Sequence, residues 1–162
     1  MVDASPMTAL YLREPELRRG MELLFFAYRD FTQASDSVLA EYGFGHAHRR
    51  ALYFIAKDPG LTVSCLLRVL RITKQSLNRV LNELQERGLV EQRVGVTDRR
   101  QRRLFLTEAG AALERQLFEV IRARMAKAYA NAGPQAVAGF WAVLDGLMDA
   151  PPLTEARQSK VA

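Results

Sequence analysis

Cysteine is almost missing from this chain: Cys65 stands alone among 162 residues. An intramolecular disulfide and a thiolate metal cluster are therefore excluded. Cys65 falls inside an apolar helical pattern, where a buried, inert thiol is expected rather than a redox sensor. Histidine is nearly as scarce, with only His46 and His48. No Ser/His/Asp set, HExxH pair or phosphate-cradling glycine loop occurs. An enzyme reading thus finds no catalytic residues, and no metal or cofactor is expected. No apolar run approaches the roughly 20 residues that span a bilayer, and the N-terminus has no basic segment leading into an apolar stretch. A cytoplasmic protein without membrane contact is expected. What remains is ordinary globular composition, 49% apolar and 25% charged, in a chain long enough for one domain to bury roughly 70% of its unfolded surface.

Charge is plentiful and uneven. From Arg68 to Arg103 stand ten basic residues (68, 71, 74, 79, 87, 93, 99, 100, 102, 103) against four acids (Glu83, Glu86, Glu91, Asp98), a local sum of +6. The whole chain carries +5, so the other residues together sum to −1. A net positive chain can meet nucleic acid, anionic lipid or an acidic protein; the clustering says where such a partner would be met.

Periodicity supplies the framework. Residues 1–12 show no usable period and read as a loosely held arm. Apolar residues then recur at Leu17, Met21, Leu24, Phe25, Tyr28, Phe31, Val38 and Leu39, which predicts one helix of roughly 28 residues from Glu14, ended by Gly43 and Gly45. A second helix is expected over 46–57, closed by the turn Asp58-Pro59-Gly60. A third begins near Thr62, with Val63, Leu66, Leu67 and Leu70 inward. A fourth is capped by Thr73 and stopped at Gly88, with Leu77, Val80, Leu81 and Leu84 as its buried stripe. Leu89–Val94 and Arg102–Leu106 read as a hairpin with a charged connection, 95–101. Thr107 caps a long helix over 107–131, and Gly133-Pro134 starts a last one, 134–148. Pro151-Pro152 begins a flexible tail, 151–162.

Two helices joined by a three-residue break, then a basic hairpin, make a winged helix-turn-helix. The expected fold is mainly α with a small β-hairpin wing. A helix fits the roughly 12 Å major groove of duplex DNA, where outward side chains reach base edges. On the fourth helix the core stripe leaves Lys74, Gln75, Ser76, Asn78, Arg79 and Asn82 outward, with Thr73 at the cap. Gln and Asn pair bidentately with adenine, Arg with guanine, Ser or Lys with phosphate or base. At the hairpin, Arg99, Arg100 and Arg102 supply the positive charge, and Arg99 and Arg100 suit the narrower minor groove. Asp98 reads as a brace that pairs with a neighbouring arginine. Phe25, Phe26, Phe31, Phe118, Phe140 and Trp141 exceed what so small a domain can bury, which points to a two-fold dimer with recognition helices about 34–36 Å apart.

The sequence resembles the MarR-type winged-helix transcription regulators over about residues 14–148. The resemblance rests on the long first helix, Asp58 to Val63, Thr73 to Arg79, Leu84 to Val90, and Asp98-Arg99-Arg100 running into Leu104-Phe105-Leu106-Thr107-Glu108-Ala109-Gly110. The last stretch matches the family's Asp-x-Arg wing followed by Leu-Thr-x-x-Gly. Ile72–Arg79 and Gly133–Gly139 look most like the PetP-like branch. The resemblance implies an obligate homodimer joined by its N-terminal and last two helices and bound to a palindromic operator. It also implies Arg100 as the wing-tip arginine, Asp98 as its brace, and Gln75, Ser76, Asn78 and Arg79 as major-groove readers. The expected organisation is an arm and dimerisation helix (1–45), the DNA-binding domain (46–110), C-terminal dimerisation helices (111–150) and the tail. Two features depart from the family: Cys65 stands where many members carry an acid or polar residue, and no cysteine lies near the N-terminal helix to serve the peroxide-sensing branch's mechanism.

The expected function is a sequence-specific, dimeric DNA-binding regulator, a repressor by preference, modulated by a small molecule. His46, His48 and Arg49 are the candidate residues for an anionic-ligand or pH-sensitive site, since the family's effector pocket borders that region. A haem- or metal-responsive regulator using His46 and His48 is the alternative, although positions two apart on a helix point about 200° away from each other. An RNA-binding or protein-interaction module is the remaining class. RNA binders display stacking aromatics among their basic residues; this basic stretch has none, and only Phe105 lies just beyond it.

Overall fold

The computed structural model describes residues 10–95 and 99–149. It contains two compact units, divided between Ala34 and Ser35. The first holds a short 3-10 turn, Leu10–Leu12, and helix α1, Glu14–Gln33. Pro15 sits in the first turn of α1, where its missing N–H costs nothing, and Glu14 and Glu16 complement the positive end of the dipole. The helix leaves its apolar residues exposed, Met21 at 71% and Phe25 at 65%.

The single helix of roughly 28 residues does not form. α1 ends at Gln33, and a separate helix α2 spans Asp36–Tyr42. Two local features account for the break. The Thr32 hydroxyl bonds back to the carbonyls of Tyr28 and Arg29, both at 2.9 Å, competing with the helical ladder. Ser35-Asp36 then forms a new start, Ser35 in the cap position and Asp36 in the first turn. The apolar spacing from Phe31 to Val38 runs straight across this junction, so periodicity alone could not reveal it.

In the second unit, α3 spans His46–Lys57, α4 Val63–Leu70 and α5 Lys74–Glu86. Strands β1 (Leu61–Thr62), β2 (Val90–Val94) and β3 (Arg102–Leu106) form an antiparallel sheet in the order β1-β3-β2. Leu61 pairs with Leu104, and Val90 with Leu106. The hairpin was expected; β1 was not, because two residues carry no period. The core gathers Leu39, Leu52, Ile55, Leu66, Leu77, Leu84, Leu104 and Leu117, each at most 2% exposed, and so fixes the back of α5 against α3, α4 and the sheet.

Both ends of α5 are held by local chemistry. Thr73 caps its start by accepting the Ser76 N–H at 3.1 Å. At its end Gly88 (φ +67°) donates to the Gln85 carbonyl and Leu89 to the Leu84 carbonyl, each at 2.9 Å, the paired closure typical of a left-handed glycine cap. The chain then enters β2, which is locked to helix α6, Glu108–Ala132. The Thr107 hydroxyl donates to the Gly88 carbonyl at 2.6 Å and accepts the Gly110 N–H at 3.0 Å. The Thr107 N–H donates to the Leu89 carbonyl at 3.1 Å. Gly110 lies so close to that strand that a Cβ would stand 1.9 Å from the Leu89 oxygen. The Leu-Thr-x-x-Gly pattern is therefore a clasp between the end of α5, the β2–β3 hairpin and α6.

Only the first half of α6 enters the core, through Leu113, Leu117 and Ile121. Its second half packs on α7, Pro134–Leu147, where Trp141 Nε1 donates to the Tyr129 hydroxyl at 2.9 Å. No residue of α7 is buried, and Phe140, Trp141, Val143 and Leu147 are all exposed. The expected arm falls largely, and the tail wholly, outside the described residues.

Candidate nucleic-acid interface

The helix-turn-helix consists of α4, the turn Arg71-Ile72-Thr73 and α5. Arg71 holds a left-handed conformation (φ 49°, ψ 41°), the only described non-glycine residue with positive φ. A side chain pays roughly 1–2 kcal/mol there relative to the right-handed region, yet the turn keeps an exposed arginine where glycine would be unstrained. Sequence reasoning counted Arg71 among the cations without assigning it a role.

Along α5, Leu77, Val80, Leu81 and Leu84 are buried, and Lys74, Gln75, Asn78, Arg79 and Asn82 are exposed, as the period required. Ser76 differs from the expectation of an outward side chain. It is half-buried, and its Oγ accepts the Thr73 hydroxyl at 2.9 Å, so part of its capacity is spent on the cap. Lys74 and Gln75, in the first turn, project from the positive end of the dipole, where an anion is favoured.

The wing brings Arg99, Arg100 and Arg102 to the surface, all exposed, and Gly95 closes its base by donating to the Gln101 carbonyl at 3.0 Å. Asp98, the expected brace, lies outside the described residues. Lower on the hairpin, Arg93 stacks on Phe105 with its guanidinium carbon 4.4 Å from the ring centroid and pairs with Glu91. Phe105 is half-buried and covered by a cation, so it offers no open platform for a base. Between wing and helix-turn-helix lies a half-open cleft of about 260 Å³, lined by Thr62, Val63, Ser64, Arg100, Gln101 and Arg102. The first turn of α4 contributes one wall, a participant that pattern reading missed.

His46 and His48 are not brought together. His48 is 6% exposed and spent on both ring nitrogens. The Gly45 N–H donates to its Nδ1 at 3.1 Å, which makes Nε2 the protonated nitrogen, and Nε2 donates to Glu83 Oε2 at 2.6 Å. Its ring stacks on Phe44, centroids 4.5 Å apart. His46 faces α2 instead, its Nε2 3.2 Å from Asp36 Oδ1. Arg49 is half-buried. Among the described residues, no group of three or more His, Cys, Asp or Glu could hold a metal ion, and no helix is long and apolar enough to cross a membrane. Cys65 is half-buried rather than buried, because it lies at the edge of the α4 stripe; its Sγ accepts from Arg68 at 3.4 Å.

Residues 42–101, from the α2–α3 corner through the wing, match the sequence model of the MarR family. The chain is also 56% identical over 142 residues to the HTH-type transcriptional regulator PetP of Rhodobacter capsulatus, covering 88% of this chain and 86% of that one. The chain belongs to the MarR family. It is accordingly a transcriptional regulator with a DNA-binding winged helix-turn-helix, and its likeness to PetP agrees with the branch suggested by Ile72–Arg79 and Gly133–Gly139. Solved structures agree in fold. A MarR family regulator from Silicibacter pomeroyi superposes with a TM-score of 0.65 at 27% identity, over 82% of this chain and 86% of that one. A MarR family protein of Mycobacterium tuberculosis, in complex with p-aminosalicylic acid, gives 0.57 at 25% identity, over 78% and 95%. Two of these relatives are transcriptional regulators, which fits a surface built of donors and cations.

Proposed function

We propose that this MarR-family regulator binds a palindromic operator as a homodimer and acts as a repressor. In each half-site α5 enters the major groove and the wing reaches the adjacent minor groove. The observation that carries this reading is the division of α5 into a buried aliphatic back and an exposed face of Lys74, Gln75, Asn78, Arg79 and Asn82. Gln75, Asn78, Arg79 and Asn82 are the base readers, with Lys74, Thr73 and Ser76 at the phosphate-facing end. Arg99, Arg100 and Arg102 track the minor groove and its phosphates, with Asp98 bracing the tip. The cleft between Ser64 and Arg102 has the size and charge for a backbone phosphate.

Residues 46–110 serve as the reading head. Dimerisation falls to α1, the second half of α6 and α7, whose exposed Phe25, Phe26, Phe118, Phe140 and Trp141 exceed what a stable soluble monomer usually leaves uncovered. A small anionic effector at the α2–α3 corner, met by His46 and Arg49 and sensed through His48, completes the scheme. The aromatic acid bound by the Mycobacterium tuberculosis relative makes that ligand class a reasonable first screen.

Electrophoretic mobility shifts test the assignment. Arg100→Ala should weaken every duplex similarly and flatten the dependence of affinity on salt by about one unit of slope, whereas Asn78→Ala should relax choice at one base step by about 1–3 kcal/mol. Equal affinity for RNA and duplex DNA, or identical effects from the two substitutions, would contradict it.

A further inference from the structure

An acid on a DNA-reading face needs explaining, and Glu83 is such an acid. It lies one helical turn beyond Arg79 on the same stripe of α5, side chain 40% exposed, where an unpaired carboxylate would repel phosphate. Its two oxygens serve different partners. Oε2 accepts from His48 of α3 at 2.6 Å, and Oε1 lies 4.0 Å from Arg79 Nε. One turn further on, Arg87 donates to the Tyr42 carbonyl at 3.3 Å, its guanidinium carbon 5.9 Å from the Phe44 ring centroid. Phe44 in turn stacks with Tyr42, 5.7 Å away, and with the His48 ring. The corner Tyr42–His48 thus grips α5 at Glu83 and Arg87, directly behind the reader at Arg79.

We infer that His48 and Glu83 are positioning residues for base recognition: His48 pins the Glu83 carboxylate, and that carboxylate orients the Arg79 guanidinium toward the major groove. The inference rests on the proposed role of Arg79 as a reader. An exposed arginine has many rotamers, and holding it near one of them lowers the entropy lost on contact. Charge pairing with Arg79 also weakens the acid's repulsion of the backbone. His48 can hold only one tautomer in this arrangement, because the Gly45 N–H claims Nδ1; the proton is therefore always offered to Glu83.

The test uses the full-length protein and a duplex library in which each base step of a recovered operator half-site is varied. Arg79→Ala identifies the step that Arg79 reads. Glu83→Ala should then lower discrimination at that same step by about 5- to 30-fold, within the range of one good bidentate base contact, while raising affinity for random duplex. In the double variant, Glu83→Ala should add nothing to the loss at that step. His48→Ala should reproduce the Glu83→Ala pattern and His48→Gln, which keeps an N–H donor, should partly restore selectivity. A purely structural role would lower thermal stability and weaken all sequences alike. Unchanged discrimination in Glu83→Ala, or additive losses in the double variant, overturns the inference while leaving the reader assignment standing. An Arg79→Ala variant with full discrimination overturns both.

Discussion

Gly110→Ala is the substitution whose cost the structure defines best. The new Cβ would stand 1.9 Å from the Leu89 oxygen and 2.9 Å from its carbonyl carbon, whereas carbon and oxygen ordinarily stay about 3.3–3.6 Å apart. Both atoms are backbone, so no rotamer change relieves the overlap. Moving β2 away would break the Thr107 N–H bond to the same carbonyl, 3.1 Å long. That leaves an acceptor of a buried residue unmet at about 1–3 kcal/mol, and the overpacking adds about 1–3 kcal/mol. The small gain of alanine over glycine in a helix offsets up to about 1 kcal/mol. A net loss of about 1–6 kcal/mol follows, which for a protein of this size lowers Tm by about 2–4 °C for each kcal/mol. Circular dichroism melts at one fixed protein concentration measure it, because association makes Tm concentration-dependent. Because the clasp joins Gly88, the wing and α6, the folded variant should also bind duplex DNA more weakly at low temperature. A loss below about 1 kcal/mol would refute the claim that this close approach sets the geometry of the reading head.

Trp141→Asp should convert a dimer to monomer at micromolar concentration in analytical ultracentrifugation; an unchanged sedimentation coefficient would place the interface elsewhere. Arg71→Gly should raise stability by about 1 kcal/mol by relieving the left-handed conformation, yet weaken DNA binding through the lost charge. Gains in both would show that the strain serves no contact. Burial pushes the Glu114 carboxyl above its ordinary range, with the Arg115 charge opposing in part. Its ionisation therefore disfavours the fold, a penalty absent at low pH and developed as pH rises through the raised value. Glu114→Gln should stabilise the protein at neutral pH, and the difference should vanish in melts carried below the ordinary carboxylate range.

Much of the fold was legible in local chemistry. Thr73, Gly88 and Thr107 mark element ends through their own hydrogen bonds or backbone preferences, and each acts in the structure as its residue type suggests. The stripe of α5 was equally readable, since 3.6-residue spacing decides which side chains face a core. Three features were not. β1 is two residues long and exists only because Leu104 and Arg103 lie opposite to pair with it. The break before Ser35 hides beneath an unbroken apolar spacing. The His48–Glu83 contact joins residues 35 apart in sequence, and no periodicity links a cap on one helix with an acid on another. The sequence assigned His48 to a ligand; the fold spends both ring nitrogens on protein groups.

Selection of bound genomic fragments by the purified protein, followed by footprinting, tests the central claim most directly. The account predicts recovery of a palindrome whose half-sites lie about 10–10.5 base pairs apart, centre to centre, with protection of the major groove in each half and the flanking minor groove. Recovery of no fragment above random competitor at low ionic strength, with and without aromatic acids present, would contradict it.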